Sequence, residues 1–200
     1  KTMYDMWIGG ENGVLQTGTN ASRMFAYLTN VEKLDLSKLD TSYITNMSRM
    51  FYMSSGLKSI DLSNFNTSNV TSMNYMFSEC NNLLSLDLSN FDTSKVTAMV
   101  GMFMNCINLK ELDLSNFNTS NVTNMQSMFY QCRRLEDLNL GSFDTSKLTA
   151  INYIFNNCIS LKNLDIRNAE LSKVQSKIVP YYGIKNTATI YVKNSTEKEY

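Results

Sequence analysis

The chain has 200 residues, 18 basic and 18 acidic side chains, a formal net charge of zero and no histidine. Balanced, scattered charge argues against nucleic acid or an anionic membrane as partner, since both demand concentrated positive charge, and no apolar run approaches the ~20 residues that span a bilayer. Without histidine the commonest general base and the commonest metal ligand are missing, so the chain is expected not to be an enzyme and to carry no cofactor.

Residues 1–33 read as an N-terminal cap that keeps the later half of a repeat: Met24, Phe25, Leu28 and Val31 align with Met50, Phe51, Ser54 and Leu57. A start at Lys1 reads as a piece cut from a longer chain, so a missing leader carries no weight on secretion. From Leu34 onward the sequence repeats every 26 residues. Segments open at Leu34, Ile60, Leu86, Leu112, Leu138 and Leu164, without insertion. Five full repeats occupy 34–163. Residues 164–200 read as a partial repeat and a C-terminal cap, in which Pro180, a Tyr181-Tyr182-Gly183 turn and an alternating strand over Thr187–Val192 close the array. A fixed period of this length marks a solenoid, whose units bury their apolar residues only against one another and need caps for solubility.

Positions are counted from the residue that opens each repeat. Positions 1 and 3 are apolar around a polar position 2, as in Leu86-Asp87-Leu88, which predicts a short strand with Asp outward. With Leu83 the pattern reads LxxLxL, the core of a leucine-rich repeat. Stacked strands predict a parallel sheet with neighbours ~4.8 Å apart. Phe65, Phe91, Phe117 and Phe143, with Leu39 in the first copy, stand at position 6 as plugs of the core. An Asp/Asn-Thr-Ser turn follows, with Thr41, Thr67, Thr93, Thr119 and Thr145 in one column. The second half, V-T-x-M-x-x-M-F-x-x-C-x-x-L, spaces its apolar residues by three and four. That spacing predicts a short helix, with Thr71, Thr97 and Thr123 as its N-caps. The expected fold is therefore an α/β leucine-rich-repeat solenoid, right-handed, with a parallel sheet on one face and short helices on the other.

Alternate copies differ in type. Position 7 runs Asp40, Asn66, Asp92, Asn118, Asp144, and position 10 runs Tyr43, Asn69, Lys95, Asn121, Lys147. The duplicated unit is then two coils, and full charges in one column stand ~10 Å apart, about one Debye length in salt.

The outward strand positions carry the candidate site. Asp35, Asp61, Asp87, Asp113 and Asp165 form a ladder interrupted by Asn139. Ser37, Ser63, Ser89 and Ser115 run beside it, and Glu111 lies at the repeat boundary. Carboxylates ~5 Å apart in water repel by somewhat under ~1 kcal/mol, so a run of them is expected to raise some carboxyl pKa values or to attract cations, Ca²⁺ among them. One reading is a polar groove for a ligand with basic or hydroxyl groups. The other is a solvated face whose Asp repeats because the coil was duplicated. The face lacks Trp, Tyr and Arg, which counts against a tight protein interface there. Tyr43, Tyr52, Tyr75, Tyr130 and Tyr153 fall instead on the turn and on the second half of the repeat, as a lateral surface. Cys80, Cys106, Cys132 and Cys158 share position 21. They read as free buried thiols, since Ser54 and Leu28 replace them in earlier copies and no CxxC spacing suggests zinc. Met47, Met50, Met73, Met76, Met99, Met102, Met125 and Met128 read as two packed core columns.

The string LDLSNFNTSNVTNMQSMFYQC from Leu112 to Cys132, and the N-terminal WIGGENGVLQTGTNASRMF, resemble the BspA-like surface leucine-rich repeats of bacteria. More narrowly they resemble the subfamily first catalogued as mycoplasma and Firmicute repeats of unknown function. The likeness covers roughly residues 7–166. It implies a secreted or wall-anchored protein at the bacterial surface that binds a protein or glycan ligand on host or neighbouring cells. It carries no residue-level functional motif. Two functions follow as expectations: a non-catalytic recognition module acting as a monomer through the strand face, or a stiff spacer that displays other domains.

Overall fold

A computed structural model describes residues 18–174, 182–185 and 187–192, with the backbone of Tyr4–Trp7 and Leu15–Gln16. Pro180 and Tyr181 of the expected closing turn, and much of the N-terminal segment, lie outside the described residues.

The 26-residue period is a physical stacking distance. Asn20, Asn46, Ser72, Ala98, Asn124 and Ala150 form parallel bridges one after another, each 26 residues from the next. The same register persists toward the C-terminus, where Leu164 pairs with Ile190. The apolar columns thereby stack into one core. Phe25, Phe51, Phe77, Phe103, Phe129 and Phe155, all at position 18, form a continuous stack with ring centroids 5.5–5.9 Å apart and planes within 17°. Offset stacking of this kind adds to the burial of the rings. The Met columns are buried between them, and the position-6 phenylalanines plug the turn as expected.

The expected helices are absent, and with them the α/β class. The described residues contain only short strands. The second half of each repeat is a chain of four-residue β-turns. In the second copy Met76 N–H donates to Met73, Ser78 to Tyr75 and Cys80 to Phe77, at 3.1–3.3 Å. The intervening N–H groups of Met73, Tyr75, Phe77 and Glu79 donate instead to Ala98, Val100, Met102 and Met104 of the next copy, at 2.7–3.3 Å. An α-helix would spend every N–H within the segment. Here about half bind the neighbouring coil. The first and third of these turns have a left-handed residue in the third place, Tyr75 and Glu79. Positions 16 and 20 supply it in every copy from Arg23 and Tyr27 to Tyr153 and Asn157, with φ between 55° and 65°. Spacings of three and four suit such turns as well as they suit a helix.

The Thr residues expected as N-caps have another task. Thr71 donates both its N–H (2.8 Å) and its Oγ1 (3.1 Å) to the carbonyl of Thr45, the equivalent residue one copy back, and Thr97 does the same to Thr71. These threonines stitch coils together.

The sheet is also smaller than expected. β1 (Tyr4–Trp7) pairs with β3 (Val31–Asp35), and β2 (Leu15–Gln16) with β4 (Leu39–Asp40). β5 (Asp137–Asn139), β6 (Asn163–Asp165) and β7 (Thr189–Tyr191) form a three-stranded sheet, and all pairs are parallel. The central segments Ile60–Leu62, Leu86–Leu88 and Leu112–Leu114 form no strand. Side chains reach the carbonyls at their ends and just beyond: Asn90 Nδ2 donates to Leu62 and Phe65 (3.0 and 2.9 Å), and Asn116 Nδ2 to Leu88 and Phe91 (3.0 Å each).

Two further columns tie the coils. Thr41, Thr67 and Thr145 each use one buried hydroxyl twice. Thr67 Oγ1 donates to the Asp92 carbonyl (2.9 Å) and accepts from the Asp92 N–H (2.8 Å). The alternation at position 10 is a hydrogen-bond device: Lys95 and Lys147 Nζ donate to Asn69 and Asn121, whose amides donate to the Ser42 and Ser94 carbonyls one copy further back.

Candidate ligand-binding face

The structure places Asp35, Asp61, Asp87 and Asp113 in one exposed row, one copy apart, with Ser63, Ser89 and Ser115 alongside; Glu111 is exposed next to Leu112. Asp165, half-buried, continues the row beyond Asn139.

Each of these carboxylates is occupied locally. Asp35 Oδ1 accepts the N–H of Ser37, Asp61 that of Ser63, Asp87 that of Ser89 and Asp113 that of Ser115, at 2.9–3.0 Å. This is the turn in which an Asx side chain bonds the backbone two residues on. The Ser N–H, followed by the Ser hydroxyl, holds these four carboxyls below the ordinary carboxylate value. Repulsion from the next Asp opposes this at Asp35 and Asp61 but is the weakest contribution, so the expected rise does not occur. Charge-assisted bonds to a fixed N–H outweigh a like charge screened by water. The second column, Asp40, Asp92 and Asp144, is held low by the hydroxyls of Ser42, Ser94 and Ser146 first and by their N–H groups second. Among the described residues no group of three or more acidic or thiol side chains is arranged around a common point to hold a metal ion.

The four cysteines are free and buried. Each Sγ–H donates to a phenylalanine carbonyl one copy back, as Cys106 does to Phe77 at 3.1 Å, and Ser54 makes the equivalent bond to Phe25 at 2.6 Å. Burial pushes the Cys80 and Cys158 thiols up to about 12, and those of Cys106 and Cys132 well above their ordinary value. The tyrosines expected on the lateral surface do not form one patch. Tyr43 and Tyr153 are exposed, whereas Tyr75 lies beneath the Arg49 guanidinium, 4.8 Å from the ring centre, and against Gly101.

The row breaks at one place. Asn139 replaces Asp at position 2, and Gly141 replaces Ser at position 4. The turn survives, since Asn139 Oδ1 accepts the Gly141 N–H at 2.9 Å. At Gly141, which has no side chain, lies a groove of about 440 Å³, lined also by Asp113, Ser115, Asn139, Asp165, Arg167 and Asn168. A hollow of about 170 Å³ adjoins it through Asn139, Asp165 and Arg167 and reaches Tyr191; a third, of about 110 Å³, lies between Asp87 and Asp113. Arg167 is paired with Asp165 (2.6 Å), which holds the Asp165 carboxyl below its ordinary value, and its guanidinium stands 5.9 Å from the Tyr191 ring centre. Reading residues 164–200 as a partial repeat and cap hid both Arg167 and Tyr191. Counting 26 onward from Ser115 through Gly141 and from Asp113 through Asp165 puts Arg167 in the Ser column and Tyr191 in the Asp column.

A family described as "Mycoplasma protein of unknown function, DUF285" matches residues 19–112 and 82–190. The chain belongs to this family. It is a repeat family associated with surface proteins, in keeping with the coarse part of the resemblance drawn from the sequence. No curated protein and no solved structure matches the chain. Among the described residues no helix is long and apolar enough to cross a membrane.

Proposed function

We propose that the chain is a non-catalytic recognition module of a BspA-like bacterial surface protein, working outside the cell and binding a host or microbial ligand through its Asp/Ser face. The observation that carries this reading is the position of the three hollows, each with Asp side chains in its lining, which follow one another along that face from Asp87 to Tyr191. Concave sites with a few convergent polar groups are where ligands bind. The spacer reading retains one supporting observation: each Asp of the row is already used in its own turn.

The experiment is binding of the chain to a panel of matrix proteins, mucin glycans and epithelial cells, with and without Ca²⁺. Its control carries Asp61→Asn, Asp87→Asn and Asp113→Asn. Asparagine keeps the turn, as Asn139 does, and removes only charge. Saturable binding weakened in the variant supports recognition by this face. Binding unchanged in the variant and blocked by changes at Tyr43 or Tyr153 moves the site to the lateral surface. No binding to any member of the panel favours the spacer.

A further inference from the structure

We infer that the break in the row at Asn139 and Gly141 is a subsite for one ring of a neutral, hydroxyl-rich ligand, a sugar unit of a glycan; the inference rests on the reading of this face as a recognition surface. Three features separate this place from the rest of the row. The first is space. In the preceding copies a serine occupies position 4, and a Cβ built on Gly141 would stand 3.1 Å from Asn139 Oδ1 and 3.5 Å from Asp165 Oδ2. Glycine there leaves the groove open, and its backbone does not require glycine, since φ is not left-handed.

The second is charge. Exchanging Asp for Asn at 139 and Ser for Arg at 167 removes one negative charge and adds one positive charge in two adjacent copies, and Arg167 neutralises Asp165 directly. The acidic row is thus cancelled beside this groove. A cation would find a better field beside Asp61 and Asp87. A neutral ligand loses nothing by the cancellation. The third is the pairing of donors and acceptors. Asp113 offers its second carboxylate oxygen as an acceptor, and Asn139, whose Oδ1 takes the Gly141 N–H, offers its Nδ2 as a donor; Arg167 offers the guanidinium N–H groups that Asp165 leaves, Asn168, whose Nδ2 holds the Gly141 carbonyl, offers its Oδ1, and Ser115 and Ser142 offer hydroxyls. At the edge Tyr191, 45% exposed, gives an aromatic surface for the C–H face of a ring. An apolar plate beside planar polar groups recognises a polyol, whose two faces differ in just this way.

The test is a consensus restoration, Asn139→Asp with Gly141→Ser, which writes the neighbouring copies' own residues into this one and so keeps the turn. The probes are immobilised neutral, amino and sialylated oligosaccharides, with the matrix proteins in parallel and a urea midpoint to confirm folding. The expected result is binding of neutral oligosaccharides by the native chain, weakened about tenfold or more by the restoration and also by Tyr191→Ala, while Tyr43→Ala, on the lateral surface, leaves it intact. Neutral glycans bound equally by the restored variant would overturn the subsite and leave the face as a recognition surface. Preference for amino sugars would overturn the neutral class. Binding of matrix proteins alone, sensitive to the Asp-to-Asn control, would overturn the glycan while sparing the proposed function. No binding by any probe would overturn both.

Discussion

Thr67 tests whether coil-to-coil hydrogen bonding or apolar packing holds the stack. Its hydroxyl is 1% exposed, donates to the Asp92 carbonyl at 2.9 Å and accepts from the Asp92 N–H at 2.8 Å. Thr67→Val keeps shape and volume but strands both groups of one peptide residue. A buried polar group left without its partner costs about 1–3 kcal/mol, so two partly buried ones cost about 2–4 kcal/mol together. Thr67→Ser does the reverse, keeping both bonds and deleting one methyl, worth about 1 kcal/mol. The ordering is therefore serine milder than valine. Urea unfolding followed by circular dichroism reads it directly, and at about 2–4 °C per kcal/mol for a chain of this size the valine variant melts some 5–15 °C lower. A valine variant as stable as the serine variant would show that water reaches the Asp92 peptide and that the threonine column is packing alone.

Three further outcomes follow from the same geometry. The depressed carboxyl values of Asp35, Asp61, Asp87, Asp113 and Asp165 lie below the unfolded value of about 3.9. The unfolded chain then binds more protons between the two values, so the stabilisation is complete above about pH 4 and drains away as pH falls through the depressed folded values. Urea midpoints measured from pH 7 to pH 2 should fall along that limb, and a flat profile would contradict the turn bonds. The native chain should leave Cys80, Cys106, Cys132 and Cys158 unlabelled by a thiol reagent at pH 8, with all four reacting in guanidinium, because burial keeps them protonated. Ser127→Gly, at φ 55° in the column where the next copy back has Gly101, should leave stability unchanged or raise it by up to about 1 kcal/mol, as relief of the left-handed strain offsets the added chain entropy. A loss of more than that amount on urea unfolding would mean the serine side chain carries weight the backbone does not.

The sequence made the stacking, the buried columns and the free thiols legible, because each is a matter of period and polarity. The helix was misread for two physical reasons. Apolar spacings of three and four fit consecutive turns as well as a helix, and the residues that reach the left-handed region are Arg49, Met53, Tyr75 and Glu79 rather than glycine, so the usual turn signal is missing. What holds them there is bonding to a residue about 25 places away, as in Tyr75 to Val100, which no local window contains. The wide sheet was misread because the asparagines at position 5, which look like turn residues, cap the strand carbonyls with their side chains. At the site the row of Asp was readable as a pattern, while its role in Ser-capped turns required the geometry.

That role changes where functional information can lie. An Asp kept in each copy for its own turn says as little about a ligand as a leucine kept for the core, since both would persist in a chain that bound nothing. Residues that leave the pattern while the turn persists carry the information instead. Asn139 keeps the acceptor and drops the charge, Gly141 keeps the N–H and drops the side chain, and Arg167 keeps the N–H donated to Asp165 and adds a cation. None of the three is needed by the stack, which closes in the neighbouring copies with Asp and Ser. Tyr191 stands where an Asp stands four times between Asp35 and Asp113, half-exposed on β7. Three of these departures meet at one groove and Tyr191 lies on the hollow that adjoins it, so the place where the row leaves its pattern is also the place where the face is concave. Restoring the repeat at this groove is therefore a sharper test of function than removing the row.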